Sequence, residues 1–261
     1  LGLGSAMFVN GYRVGMLLAG GGGLILADLL SFPGMYQLMA LFMGLCILVT
    51  LFSPEPREAA GSPRTLREAV IEPFMEFFKR PEAIAILTFI LLYKLGDTLA
   101  SAINVPFYLD LGFSKSEIGA IAKLFGFWAT LIGGTLGGIW ILRIGLYRSL
   151  WLFGFLQMAS TFGFVLLAQT GHSIPMLTGV IAVENFTGGL GTAAFVGFMG
   201  AMTDRRFTAT QYALLSSLMG VPRVILSTPT GWMVGEMGWT MFFLLCTLLA
   251  IPGLLMIRRF K

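Results

Sequence analysis

Two residues of opposite charge lie three positions apart inside one long apolar segment of the sequence. The segment covers residues 83 to about 108, and the charged residues are Lys94 and Asp97. A segment of this length can cross the hydrocarbon core of a bilayer, where each charge costs about 2.5–3.5 kcal/mol at a helix centre. Because residues at i and i+3 share a helix face, the two side chains either pair with each other or point together into a polar cavity.

Further charged residues interrupt other apolar segments. They are Arg13, Lys123, Glu184 and Arg223. Cations therefore outnumber carboxylates inside the apolar segments, and other helices, water or an anionic ligand must compensate for the surplus. The two carboxylates, together with Lys94 and Arg223, lie too deep to reach an interface easily, which favours a cavity over a purely structural ion pair. Arg13 and Lys123 lie nearer the ends of their segments, where snorkelling is an equally good interpretation.

The two carboxylates, Asp97 and Glu184, are the candidates for proton coupling. Burial and a neighbouring cation act in opposite directions on the proton affinity of a carboxyl group, so substrate binding or helix motion can move the proton. A histidine relay is not expected, because the single histidine, His172, lies in a short loop between apolar segments. The candidate substrate-binding residues are Lys94, Arg223, Tyr93, Lys123, Arg13, Asn104, Gln157 and Gln211. For the uncharged members of this set, hydrogen bonding within the core is an equal alternative.

The sequence carries no pattern typical of an enzyme, a metal site or a cofactor site. It has no HExxH motif, no cluster of cysteine and histidine, and no convincing Ser/His arrangement. Cys46 and Cys246 lie in separate apolar runs, as small buried hydrophobic residues do. The glycine-rich residues 184–192 follow no strand and lack the Gly-Lys-Ser ending of a phosphate loop, so they favour a bend or close helix packing.

The composition is that of an integral membrane protein. Hydrophobic residues make up 56% of the 261 residues and charged residues only 11%, against about 25% in soluble domains. Eight apolar runs are long enough to span a bilayer, and they cover roughly residues 6–29, 35–52, 83–107, 117–141, 149–168, 174–200, 211–233 and 240–257. Turn-forming residues 31–34 separate the first two runs. Interleaved small-xxx-small pairs predict close helix contacts at Gly133, Gly134, Gly137 and Gly138.

Residues 54–82 form a polar linker between the second and third apolar runs. Thr65 and Glu68 have the spacing of a capping box that opens a short amphipathic helix. Pro73 is expected to break that helix into two pieces lying in the membrane interface, and a plain surface linker helix is the alternative.

The distribution of Lys and Arg predicts the orientation in the membrane. One face carries Arg57, Arg64, Arg67, Lys79, Arg80, Arg143, Arg148, Arg205, Arg206, Arg258, Arg259 and Lys261. The loops of the other face carry only Lys115. The positive-inside rule makes the richer face cytoplasmic and places both ends of the chain there. The positions of these cations favour a membrane protein over a nucleic-acid-binding one.

The first two runs resemble a divergent copy of the last two. Arg13-Val14 and Arg223-Val224 lie in the first helix of each pair, and a glycine follows eight residues after each arginine. Runs three to six have no such copy upstream. Together with a first residue that is Leu rather than Met, this predicts a fragment of a two-half transporter that lacks its first four helices. The predicted units are residues 1–53 (the last two helices of the N-terminal half), 54–82 (the cytoplasmic linker) and 83–261 (the six-helix C-terminal half).

Four stretches carry a resemblance to a known family. They are residues 11–16 (GYRVGM), 93–97 (YKLGD), 184–192 (ENFTGGLGT) and 209–216 (ATQYALLS). With these motifs the chain resembles the anhydromuropeptide permeases (AmpG type) of the major facilitator superfamily. The resemblance implies an all-α helix bundle of the major facilitator type, with about eight transmembrane helices present in this chain.

The resemblance also implies a function. It predicts a transporter in the bacterial inner membrane that imports N-acetylglucosaminyl-anhydro-N-acetylmuramyl peptides for peptidoglycan recycling by proton symport, and whose flux can feed β-lactamase induction. The full-length protein is expected to be a monomer. By position, Lys94 and Asp97 would lie on the seventh helix of the full transporter and Glu184 on the tenth, and both helices line the cavity in this superfamily. The sequence departs from the family at the missing first four helices and at Ala122, where a polar residue is expected before Lys123.

Other functions stay open at the level of the sequence. The chain could be a proton-coupled carrier of another anionic sugar or peptide, since the surplus of buried cations sets only the charge of the substrate. It could also be a truncated remnant, a scaffold or a sensor that transports nothing. Charged residues buried in facing helices favour the transporter.

Overall fold

The computed structural model describes residues 2–18, 23–53, 65–204 and 206–260. Within these residues the regular structure is helical, as predicted. The α-helices are α1 (Gly2–Leu17), α2 (Gly23–Phe52), α3 (Leu66–Lys79), α4 (Ala83–Tyr93), α5 (Leu95–Ala102), α6 (Asn104–Asp110), α7 (Lys115–Glu117), α8 (Gly126–Ile144), α9 (Leu146–Thr170), α10 (Ile174–Ala201), α11 (Thr208–Leu218) and α12 (Thr230–Met256). Two π-helical segments, Ile118–Phe125 and Pro222–Leu226, precede α8 and α12, and a short 3-10 helix, Ile257–Phe260, follows α12.

Six helical stretches among the described residues are long and apolar enough to cross a membrane. They are Leu30–Phe52, Ala83–Asp110, Lys115–Ile144, Leu146–Thr170, Ile174–Ala201 and Thr230–Phe260. They correspond to six of the eight predicted runs, and they make the chain a multi-pass membrane protein.

The other two predicted runs are interrupted. The first run includes residues 19–22, which lie outside the described residues. The seventh run is divided between α11 and the π-helical segment that begins at Pro222. A proline supplies no backbone N–H and so disfavours a continuous helix there. Eight complete spans therefore stay a prediction.

Two helices bend at residues with nearly the same backbone geometry. Ser31, within α2, has φ 64° and ψ 163°, and Gly238, within α12, has φ 76° and ψ 166°. The bend at Ser31 confirms the turn predicted at residues 31–34. This region of backbone conformation is essentially reserved for glycine, so Ser31 adopts it under strain. The shared geometry supports the predicted repeat, because each bend lies at the turn between the two helices of its pair.

Close contacts between α8 and α10 confirm that the glycines of α8 serve helix packing. A Cβ added at Gly133 would overlap the backbone of Phe186, and one at Gly137 would approach the Cα of Leu190 to 3.0 Å. From the other side, a Cβ at Gly189 would overlap the carbonyl of Thr130. Small residues let two membrane helices approach until their backbones touch. This packing makes α10 a central helix, with α8 on one side and α9 on another.

The linker helix α3 is one continuous helix, so the prediction that Pro73 divides it into two pieces is wrong. Its start is capped as predicted, since the hydroxyl of Thr65 accepts a hydrogen bond from the N–H of Glu68 (3.2 Å). Pro73 has no N–H to donate to the carbonyl of Ala69. The hydroxyl of Thr210, on α11, donates to that carbonyl instead, at 2.9 Å. A contact with another helix thus replaces the hydrogen bond that proline removes.

Further polar contacts hold α3 against the segment that connects α10 to α11. Arg80 donates to the carbonyl of Met202 (2.7 Å) and forms an ion pair with Glu76 (2.9 Å). Gln211 donates to the carbonyl of Pro73 (3.2 Å) and to Glu76. Phe77 is buried in the core, whereas the other large apolar side chains of α3 are exposed, and they are Leu66, Val70, Ile71, Phe74, Met75 and Phe78. This exposure is compatible with a position in the membrane interface and equally with a surface linker helix.

Candidate functional site

A polar cavity of about 220 Å³ lies among α1, α5, α6, α8, α9 and α10. Its lining residues are Arg13, Lys94, Asp97, Ser101, Asn104, Thr130, Phe164, Ile181, Glu184, Asn185, Gly188 and Thr192. Polar and charged side chains dominate this lining, although the surrounding helices are apolar. The cavity therefore gathers the charges that hydrocarbon would exclude.

The third predicted run, which contains Lys94 and Asp97, is broken at two joints, and the first joint is at Lys94 itself. The run forms α4, α5 and α6, and the joints between them are Lys94 (φ −109°, ψ 10°) and Ile103 (φ −122°, ψ 18°). Both joints lie close to the sparsely populated bridge region of backbone conformation. Beside the first joint, a Cβ at Gly96 would overlap the carbonyl of Cys246 on α12, and a Cβ at Gly253 would approach the Cα of Tyr93 to 2.7 Å. Two glycines thus allow α12 to press against the joint at Lys94.

Lys94 and Asp97 both pair with each other and face the cavity, which combines the two arrangements that their spacing allows. Lys94 Nζ lies 3.4 Å from Asp97 Oδ2 and donates to the hydroxyl of Thr192 at 3.0 Å. The exposed fractions of the two charged side chains are 16% and 25%. Enough of each side chain stays open for a ligand to reach it.

Glu184 is the most enclosed charged group of the cavity, with 8% of the residue exposed. The Ser160 hydroxyl lies 2.5 Å from Glu184 Oε2, 2.8 Å from the carbonyl of Gln157 and 2.8 Å from the hydroxyl of Thr187. Asp97 lines the same cavity, and its charge interacts with that of Glu184. The two carboxyl groups therefore share one electrostatic environment.

The hydroxyl of Ser160 can serve either protonation state of Glu184. It carries one hydrogen and two acceptor lone pairs. When Glu184 is ionised, Ser160 donates to the carboxylate; when Glu184 is protonated, the carboxyl group donates to Ser160, which then donates to the carbonyl of Gln157. Both states keep their hydrogen bonds, so neither leaves an unsatisfied buried group.

Arg13 reaches the same cavity from α1, and its charge interacts with Asp97. Two polar contacts fix α1 against the bundle. Ser5 donates to the carbonyl of Ala193 on α10 (3.0 Å), and Asn10 donates to the hydroxyl of Thr135 on α8 (2.7 Å). These contacts hold α1 so that Arg13 lines the cavity, although it is far in sequence from the other lining residues.

Comparison with known proteins adds an independent line of evidence. No protein-family model matches the chain. The chain is 42% identical to the anhydromuropeptide permease of Escherichia coli K12 over 258 residues, covering 98% of this chain and 52% of the permease. The putative transporter AmpG 4 of Rickettsia conorii is 38% identical over 259 residues, covering 96% of this chain and 62% of that relative. The putative transporter AmpG 1 of Rickettsia prowazekii is 32% identical over 302 residues, covering 100% of this chain and 68% of that relative.

This chain belongs to the AmpG family. The resemblance carried by the four sequence motifs is confirmed, and the family places the helical bundle in the major facilitator superfamily. The three relatives are named as a permease and as putative transporters, and none of these names describes an enzyme. The chain spans about half the length of the Escherichia coli relatives that it matches.

The AmpG-family cavity contains half of the residues proposed from the sequence. It brings together Arg13, Lys94, Asp97, Asn104 and Glu184. Asn104 Oδ1 has no hydrogen-bond partner among the described residues although it is buried. Such an oxygen suits the N–H of a bound ligand, since an unpaired buried acceptor costs free energy.

The uncharged candidates outside the cavity lining have other partners or positions. Tyr93 lies in the core, where its hydroxyl donates to the carbonyl of Leu150 (2.8 Å) and its ring stacks on Phe195. Gln157 is buried beside Gly191, behind the lining of the cavity. Gln211 is buried against α3, where its amide donates to Pro73 and Glu76, and these contacts favour the alternative of hydrogen bonding within the core.

The two remaining cations, Lys123 and Arg223, are exposed and do not line this cavity. Each lies in a π-helical segment, Lys123 in Ile118–Phe125 and Arg223 in Pro222–Leu226. Arg223 therefore does not belong to the described lining of this cavity, and its depth in the membrane stays a prediction. His172 is near the rim of the bundle, 3.7 Å from Glu117, in keeping with the expectation that it takes no part in a buried relay.

Sequence reasoning missed Ser160 and Thr192, which hydrogen-bond Glu184 and Lys94, and Thr187, whose hydroxyl contacts that of Ser160. Ser160 follows Gln157 by three residues on α9, and the two threonines follow Glu184 by three and eight residues on α10. Helical spacing from Glu184 could have indicated Thr187. Ser160 belongs to a different helix, and nothing in the local sequence pairs it with a carboxylate on α10.

Proposed function

We propose that this AmpG-family chain forms the substrate- and proton-binding part of an importer in the bacterial inner membrane. The proposed substrates are N-acetylglucosaminyl-anhydro-N-acetylmuramyl peptides, taken into the cytoplasm for peptidoglycan recycling by proton symport. The observation that carries the proposal is the convergence of Lys94, Asp97 and Glu184 in one cavity, in a chain 42% identical to a protein named an anhydromuropeptide permease.

The charge of the cavity supports an anionic substrate. Lys94 and Arg13 supply two cations, and a guanidinium binds a carboxylate through two parallel hydrogen bonds. The peptide stem of a muropeptide carries carboxylates that can occupy these positions. Asn104 offers an unpaired amide oxygen for an N–H of the sugar acetamido groups or of the peptide. Lys123 and Arg223 would take part where the substrate extends beyond the cavity.

The carboxyl groups support coupling to protons. Lys94 pairs with Asp97 when the substrate is absent, and a substrate carboxylate at Lys94 would compete for that cation. The substrate carboxylate would offset the positive charge of Lys94, and protonation of the Asp97–Glu184 pair would then be more favourable. Substrate binding and proton uptake would therefore favour each other, which symport requires, and Ser160 would satisfy Glu184 in both states.

The proposed topology follows the distribution of cations. Both ends of the chain and the linker would lie in the cytoplasm. Residues 1–53 would supply two helices of the N-terminal half, residues 54–82 the linker and residues 83–261 the six-helix C-terminal half, giving eight spans. The complete transporter would act as a monomer.

Uptake of labelled anhydromuropeptide into proteoliposomes tests this function. The assay is made with the 261-residue chain and with a chimaera in which the chain replaces the matching part of the Escherichia coli permease. We expect Asp97→Asn or Glu184→Gln in the chimaera to abolish uptake driven by a proton gradient while membrane insertion persists. Glu236→Gln, at an exposed carboxylate outside the cavity, is the control and should transport normally. Full proton-driven uptake by both cavity variants would contradict the coupling role.

A second comparison tests the substrate. Lys94→Ala should weaken uptake of muropeptides with a charged stem more than uptake of the bare disaccharide, because only the former offers a carboxylate to the lysine. Equal loss for both substrates would assign Lys94 a structural role.

A further inference from the structure

A cationic cleft lies where α9 begins and α12 ends, away from the polar cavity. Its volume is about 290 Å³, and it is lined by Tyr147, Arg148, Trp151, Ile257 and Arg258. None of these described lining residues is acidic. Among the described residues neither arginine forms an ion pair. The cleft therefore holds two uncompensated positive charges.

The side chains beside the arginines fit the membrane–water interface. Tyr147 and Trp151 have amphipathic rings, which prefer the level of the lipid headgroups. The cleft lies at the ends of two helices that are long and apolar enough to cross the membrane, Leu146–Thr170 and Thr230–Phe260. Both arginines belong to the face that is rich in Lys and Arg, where anionic lipids concentrate in a cytoplasmic leaflet.

An exposed apolar stripe leads from each arginine toward the middle of the membrane. On α9, Arg148 is followed at helical spacing by Trp151 and Phe155, whose parallel rings stack with centroids 5.8 Å apart. On α12, Leu255 and Ile251 precede Arg258 at the same spacing, and both are exposed. Residues three and seven positions apart lie on one face of a helix. Each arginine thus lies at the end of an exposed apolar stripe that acyl chains can cover.

We propose that this cleft binds the headgroup of an anionic phospholipid. The two guanidinium groups would hold the phosphate through charge-assisted hydrogen bonds, and the acyl chains would lie along the stripes on α9 and α12. A soluble phosphate would use only the arginines, whereas a zwitterionic lipid would bring its own cation into a cleft whose described lining has no carboxylate to receive it. This site is separate from the polar cavity and does not depend on the proposed transport function.

A second cationic cleft, beside α3, is a weaker candidate. It is lined by Arg67, Lys79 and Arg206 together with Glu72 and Glu76. The carboxylates reduce its net charge and repel a phosphate. The contrast between the two clefts supports the assignment of the lipid to Arg148 and Arg258.

Native mass spectrometry of the purified 261-residue chain in non-ionic detergent tests the proposal. The probes are dioleoyl-phosphatidylglycerol and dioleoyl-phosphatidylcholine, titrated separately. The variant Arg148→Gln/Arg258→Gln is compared with Arg143→Gln/Arg259→Gln, which removes the same charge from neighbouring exposed positions that do not line the cleft. All four arginines lie at the surface, so both variants should keep the fold.

We expect phosphatidylglycerol to bind the cleft variant about 25-fold more weakly than the unmodified chain, corresponding to about fivefold for each arginine. The control variant should bind nearly as tightly as the unmodified chain, because Arg143 and Arg259 do not line the cleft. Equal weakening in the two variants would overturn the proposal in favour of a general surface charge. Equal retention of phosphatidylcholine by the unmodified chain would overturn it as well.

Two further measurements separate a lipid from a free anion. Glycerol phosphate should fail to displace phosphatidylglycerol at equal concentration, because it lacks the acyl chains. Trp151→Ala should weaken the retention of phosphatidylglycerol several-fold while both arginines remain. Displacement by glycerol phosphate, or unchanged retention by Trp151→Ala, would show that the stripes contribute nothing and would refute a lipid site.

Discussion

The hydrogen bond from Thr210 to the carbonyl of Ala69 should stabilise the docking of α3 substantially only because residue 73 is proline. With Pro73 present, Thr210→Val leaves that carbonyl without a partner at the junction of α3 and α11. A typical hydrogen bond contributes about 0.5–1.5 kcal/mol, and a buried polar group left unsatisfied costs about 1–3 kcal/mol. The carbonyl is partly buried, so we expect a loss of about 1.5 kcal/mol in the free energy that docks α3.

A double-mutant cycle isolates this term. Pro73→Ala restores an N–H that can donate to the carbonyl of Ala69 within α3, so Thr210→Val in that background should cost at most about 0.5 kcal/mol. The coupling between the two positions is then about 1 kcal/mol. Thr210→Ser keeps the hydroxyl and is the matched control.

Amide hydrogen exchange of α3 measures the effect, because the docking of one helix can open below the global unfolding free energy. Thr210→Val should raise the exchange rate of the α3 amides by about tenfold with Pro73 present, since about 1.4 kcal/mol corresponds to a factor of ten. Thr210→Ser should leave the rate nearly unchanged. The same acceleration by Thr210→Val in the unmodified chain and in the Pro73→Ala background would refute the idea that Thr210 replaces the bond that proline removes.

Three further variants test other contacts. Ser31→Gly should raise the free energy of unfolding by about 1 kcal/mol, because glycine adopts φ 64° and ψ 163° without strain; a lower midpoint in denaturant titration would contradict this. Gly189→Ala should cost about 2 kcal/mol or more, because its methyl group overlaps the carbonyl of Thr130, whereas Gly179→Ala, with open space around it, is the control; equal melting temperatures would count against the packing. Ser160→Ala should slow proton-driven uptake in the chimaera at least about tenfold while Ser217→Ala does not, and equal uptake by the two variants would remove Ser160 from the coupling network.

Local sequence patterns predicted the features that depend on neighbouring residues. The spacing of Lys94 and Asp97 predicted a shared face, and residues 31–34 predicted a bend, because both follow from a few consecutive backbone positions. The glycines of α8 likewise indicated close packing, since a missing side chain has the same consequence wherever the partner helix comes from.

The errors arose where a distant partner decides the outcome. Pro73 looked like a break, but Thr210 compensates from another helix. Gln211 looked like a polar residue available to substrate, but its amide is used by α3. No short stretch of sequence contains both members of such a pair.

The joints at Lys94 and Ile103 divide the Ala83–Asp110 stretch into three helical pieces that need not share one axis. A continuous helix transmits a tilt at one end to the other with little loss, whereas a jointed one lets its outer and inner pieces turn through different angles. The charged pair sits at the first joint, so a small rotation there changes the reach of Lys94 toward Thr192 without moving the rest of the stretch. The first joint and the charged pair therefore lie at one point of the stretch, where the backbone angles of Lys94 directly set its contact with Thr192.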